Sequence, residues 1–89
     1  MHDISIEPLD GTRSHVAVSA GATQTTHEVT VWPSDVEHYT PGGTAEELIQ
    51  AAFAFLLARE PQEAILPAFE VAQIERYFPE FARAMRGRA

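Results

Sequence analysis

The sequence predicts an α+β fold: an N-terminal antiparallel β-hairpin or three-stranded meander packed against two to three C-terminal helices. Three observations carry that expectation. Apolar residues alternate with period two as far as Trp32, recur at helical spacing after Thr44, and are separated by a stretch bearing Pro41, Gly42 and Gly43. The chain divides into a β-rich part (1–33), a connection (34–43) and a helical part (44–89). At 89 residues it has the length of a single domain.

Two runs define the hairpin. From Arg13 to Ala20, Val16, Val18 and Ala20 share one face while His15, Ala17 and Ser19 share the other. From Thr25 to Trp32, His27, Val29 and Val31 oppose Thr26, Glu28, Thr30 and Trp32. Parity then limits the loop around Gly21. An even-numbered valine on the first strand must face an odd-numbered residue on the second, so the loop holds two or four residues. A two-residue loop sets His15 opposite Glu28. Ile4 and Ile6, followed by the turn residues Pro8-Leu9-Asp10-Gly11, are candidates for a third strand.

In the connection, Ser34–Tyr39 has room for a single helical turn. Thr44-Ala45-Glu46-Glu47 is a capping box, with a hydroxyl at the cap and a carboxylate three residues on. The helix it opens is predicted to run to about Arg59, because Pro61 disfavours α geometry at Glu60. Leu48, Ile49, Ala52, Phe55 and Leu56 form its stripe, and Phe53 and Leu57 widen the stripe beyond half the circumference. Such a helix is central in the fold or shared with a second copy. A short turn at Ala64-Ile65-Leu66, closed by Pro67, is expected next, then a second helix from about Glu70 over Val71, Ile74, Phe78, Phe81 and Met85. Pro79 removes a backbone donor and predicts a break near Tyr77-Phe78, with a second piece starting at Pro79 and ending at Gly87.

Composition excludes several classes. There is no cysteine, so disulfides and zinc ribbons are out, in keeping with a reducing, cytoplasmic setting. Met1–Ser5 is polar, so no secretory leader is expected, and the longest apolar run, Ala51–Ala58, is too short for a membrane span. The net charge of −7 disfavours nucleic acid and anionic membranes. Only the C-terminal arginines Arg83, Arg86 and Arg88 offer a weak nucleic-acid contact, and a helix C-terminus matched to its dipole explains them as well.

Four histidines invite a metal or catalytic reading through His15, His27, Glu28 and His38. Spacing argues against it: no HxH, HxxxH or HExxH pattern occurs, and His15 and His27 belong to opposite faces of the hairpin. The serines form no GxSxG, and Gly42-Gly43 lacks the third glycine and lysine of a phosphate loop. No catalytic residue, cofactor or metal ligand is therefore expected. The candidate interaction surface comprises Trp32, Tyr39, Phe53, Leu57, Arg83 and Arg86. For Trp32 the usual location of tryptophan favours burial under residues 33–40 over a partner surface, and for Phe53 with Leu57, core and homodimer seam stand level.

Glu46-Glu47-Leu48-Ile49, Phe55-Leu56-Leu57-Ala58-Arg59-Glu60-Pro61, Ile65-Leu66 and Ile74-Glu75-Arg76-Tyr77-Phe78-Pro79-Glu80-Phe81 together resemble a pattern found in short bacterial proteins of uncharacterised function. The resemblance covers about the last two-thirds of the chain and implies a bacterial, cytoplasmic setting with no assigned activity. Together these features point to a non-enzymatic protein-interaction or regulatory module, its partner a protein or a second copy of itself. A small ligand- or metal-binding protein or enzyme using the histidines is the alternative.

Overall fold

The computed structural model describes residues 2–87. The period-two segments form β1 (Asp3–Pro8), β2 (Arg13–Ala20) and β3 (Thr23–Thr30), an antiparallel meander in chain order. Val16 pairs with His27, Val18 with Thr25 and Ala20 with Thr23, so the loop is the two-residue Gly21-Ala22 that parity allows. Only Gly21 has a positive φ there, 61°, as the first position of a type II′ turn requires. Ile4 pairs with Val18 and Ile6 with Val16, which puts both isoleucines on the valine face and makes β1 the third strand. The β1–β2 turn is closed by Asp10. Its Oδ1 accepts the N–H of Thr12 (2.9 Å) and of Arg13 (2.8 Å), and its Oδ2 accepts from Arg13 Nε at 2.8 Å. Those backbone N–H bonds, seconded by the guanidinium, hold the Asp10 carboxyl well below the usual carboxylate range.

The connection holds more helix than the single turn expected: α1 spans Pro33–Tyr39. Pro33 occupies its first position, and Asp35 accepts the Trp32 N–H at 2.9 Å. Next, α2 covers Ala45–Leu57, two residues short of the expected end. Its capping box is present in both directions, with Glu47 N–H to Thr44 Oγ1 at 3.1 Å and Thr44 N–H to Glu47 Oε1 at 2.8 Å.

Beyond Pro61 the chain departs from expectation. The short turn is a 3₁₀ turn at Gln62–Ala64, and Ile65 is already extended. No α-helix begins at Glu70, which is the N-cap of a 3₁₀ turn. Residues Ala68–Glu70 instead form β4, which runs parallel to β3 with Phe69 beside Val29. Pro67 biases Leu66 towards extended geometry, and Phe69 gains a buried place in the sheet that a helix start would deny it. A parallel neighbour needs a crossover, which α1 and α2 supply. A 3₁₀ turn, Val71–Gln73, leads into α3 (Ile74–Tyr77). The break falls at Phe78, as Pro79 demands, and α4 (Phe81–Arg86) then starts at Phe81, with Glu80 at its N-cap, in place of Pro79.

The valine row meets the helices in one core. Val16, Val18, Val29 and Val31 are at most 3% exposed and cluster with Leu48, Phe55 and Ile74. Full burial of such side chains is worth about 1.5–3 kcal/mol each. The wide apolar circumference of α2 is consumed inside the chain, because α2 packs on β1, α1 and α4 at once. Phe53 is therefore fully buried, with its ring 5.4 Å from that of His27 and 6.0 Å from that of Phe69. Tyr39 is buried too, 5.0 Å from Phe81. Both leave the interaction surface for the core. Asp3, Ser5, Glu7 and Thr26, on the opposite face of the sheet, are exposed. Among the described residues no helix is long and apolar enough to cross a membrane.

Candidate functional site

Pro61 stops α2, and the strap that follows, residues 61–67, must cross back to the sheet. It is fastened there by a buried polar chain. Gln62 turns inward and donates through Nε2 to the Val18 carbonyl (3.0 Å) and to Thr25 Oγ1 (3.1 Å). Thr25 Oγ1 lies 3.0 Å from His27 Nε2, and His27 Nδ1 lies 2.8 Å from the Leu66 carbonyl. A carbonyl only accepts, so Nδ1 carries the ring proton. In the neutral ring Nε2 then accepts from the Thr25 hydroxyl. Every link in the chain is satisfied, which is what makes burying His27 and Gln62, each 3% exposed, tolerable.

Pinned in this way, the strap stands away from α3 and leaves an apolar cleft of about 330 Å³ between them. Leu56, Ile65, Phe69 and Ile74 are buried in its walls, and Leu66 and Tyr77 line it while remaining 45% and 67% exposed. Two polar side chains contribute. Gln73 is tied to the Glu70 N–H at 2.7 Å, whereas Glu60 makes no ion pair among the described residues. The neighbouring Arg59 is engaged elsewhere: its guanidinium lies 3.6 Å from the Phe55 ring centroid and its Nε 3.4 Å from Glu80 Oε2.

The residues singled out in the sequence are dispersed. Trp32 is 47% exposed, against the expectation of burial, because its indole swings out to donate from Nε1 to Glu70 Oε1 at 2.9 Å on β4. Leu57 is half-buried against the core. Arg83 and Arg86 are exposed on α4. Arg86 donates from Nε to the His38 carbonyl at 3.0 Å, closing the C-terminal end of α1. Arg88 lies outside the described residues. His15 sits opposite Glu28 on the outer sheet face, His27 is on the inner face, and His38 is on α1, so the histidines share no site. Among the described residues no three His, Cys, Asp or Glu side chains are placed to hold a metal ion.

Tyr39 donates to Glu75 Oε1 at 2.7 Å, joining α1 to α3. Burial first, and the Glu75 carboxylate second, push its phenol well above the ordinary tyrosine range. The residues that sequence reasoning missed are Leu66 and Tyr77. Their only local signal was position, since Leu66 is trapped between Pro61 and Pro67 and Tyr77 precedes the break at Pro79. No family model, curated protein or solved structure matches this chain.

Proposed function

We propose that the chain is a non-enzymatic protein-interaction module whose cleft between strap and α3 receives an apolar side chain from a partner polypeptide. One observation carries this: Leu66 and Tyr77, two large side chains at about half exposure or more, flank a cleft that Leu56, Ile65, Phe69 and Ile74 wall with buried apolar surface. An exposed apolar patch around a pocket marks a docking site, and a single aliphatic or aromatic anchor desolvated there supplies most of an interface's affinity. Glu60, without an ion pair among the described residues, favours an anchor that has a lysine or arginine beside it. The histidines support a non-enzymatic reading, because His27 is spent on fastening the strap and His38 packs edge-on against Tyr39 at 4.6 Å.

Peptide display against the purified chain tests the reading. Enriched peptides should share one large aliphatic or aromatic residue with a cation near it. Their affinity should fall on the order of tenfold or more in Leu66→Asp and in Tyr77→Ser. Both substitutions are at exposed positions, so unchanged circular dichroism should accompany the loss. No enrichment, or binders indifferent to both variants, would dispose of the cleft as a docking site.

A further inference from the structure

The opposite edge of the sheet carries a second, independent surface. Strand order is β1-β2-β3-β4, so β1 pairs with β2 on one side only, and no backbone hydrogen bond reaches its outer edge among the described residues. Along the six residues of β1, alternate residues thus turn unpaired N–H and C=O groups outward, a template for one more strand. Beside that edge lies a hollow of about 220 Å³ lined by Ile4, Ile6, Glu46, Glu47 and Gln50, where α2 overhangs the inward side chains of β1. An added strand would lay its own inward side chains over this hollow and its outward ones beside Asp3 and Glu7.

We propose that β1 accepts an extended basic peptide by strand addition, with lysine or arginine side chains crossing Ile4 and Ile6 to reach Glu46 and Glu47. The apolar stems of such residues suit the isoleucines, and their charged ends suit the carboxylates. Both faces of the edge are acidic. Arg13, whose carbonyl accepts the Leu9 N–H at the end of β1, has its side chain committed to Asp10 (2.8 Å) and Glu28 (3.7 Å). The same charges reject a second copy. The antiparallel register that matches Ile4 with Ile6 across a two-fold sets Asp3 of one copy opposite Glu7 of the other, and like charges facing across strands repel. This surface stands whether or not the cleft binds anything, since the two lie at opposite edges of the sheet.

The probe is a labelled peptide of alternating lysine and valine, KVKVKV, compared with EVEVEV and with the strand-breaking KVPVKV. Only KVKVKV should bind the full chain, and alternate amides of β1 should gain hydrogen-exchange protection. The reversal Glu46→Lys, at an exposed position and leaving the Thr44–Glu47 capping box in place, should weaken KVKVKV on the order of tenfold or more. Leu66→Asp should leave it unchanged. Equal binding of KVPVKV, binding without protection in β1, or self-association that protects β1 without peptide would each overturn the proposal.

Discussion

Replacing Gln62 by methionine keeps the side-chain length and apolar stem and removes only the amide that pins the strap. Two hydrogen bonds disappear, to Val18 O at 3.0 Å and to Thr25 Oγ1 at 3.1 Å. At roughly 1 kcal/mol net for each, the expected loss is about 2 kcal/mol, and more if the buried Val18 carbonyl is left without a partner. Total stability for 89 residues is about 4–13 kcal/mol, taken at roughly 0.05–0.15 kcal/mol per residue. The variant should therefore lose a sizeable fraction of it, seen as a lower urea midpoint at unchanged slope and a melting temperature lower by about 8–16 °C. Gln50→Met, at an exposed position of α2, is the control and should stay within about 0.5 kcal/mol of the parent. Ring-nitrogen NMR on the parent should show His27 protonated on Nδ1. A Gln62→Met cost below about 0.5 kcal/mol, or an Nε2-protonated ring, would refute the claim that this polar chain holds the strap.

Thr44→Ala removes one half of the α2 capping box and should cost about 1 kcal/mol in urea unfolding, with Thr44→Ser close to neutral. Tyr39 has its folded-state pKa raised, so its contribution is complete below the unfolded value near pH 10 and is lost as pH rises beyond it. Alkaline unfolding should begin above about pH 10 in the parent and be postponed in Tyr39→Phe, measured by circular dichroism. Asp10 has its pKa depressed, so its contribution is complete above about pH 4 and fades as pH falls further. In Asp10→Asn the acid limb of the stability profile should be flatter, and the parent should remain the more stable of the two at neutral pH.

The β meander was legible because burial on one face forces period two, and period two fixes parity. Val16, Val18, Val29 and Val31 announced the inward row, and with Gly21 they limited the loop to two or four residues, of which the chain uses two. The capping box at Thr44 and the break at Pro79 were legible for the same kind of reason, since each is a local demand of backbone hydrogen bonding. β4 was not. Three residues, Ala68-Phe69-Glu70, are too few to show a period, and their pairing partner lies forty positions upstream on β3. The cleft was hidden with it, because Leu66 and Tyr77 become neighbours only once the strap is pinned and the chain breaks after α3. Tyr39 and Phe53 illustrate the converse. Nothing in their own segments distinguishes a core aromatic from a surface one, and only the packing of α1 and α4 around α2 decides it.

The cleft itself can be addressed by titrating N-acetyl-leucine-amide into methyl-labelled protein and following every Ile, Leu and Val methyl by NMR. Saturable shifts grouped at Ile65, Leu66, Ile74 and Leu56, and absent in Tyr77→Ser, are the expected result. Methyl signals unmoved at millimolar probe, or moved only at Ile4 and Ile6 on the far edge, would contradict an apolar docking cleft between the strap and α3.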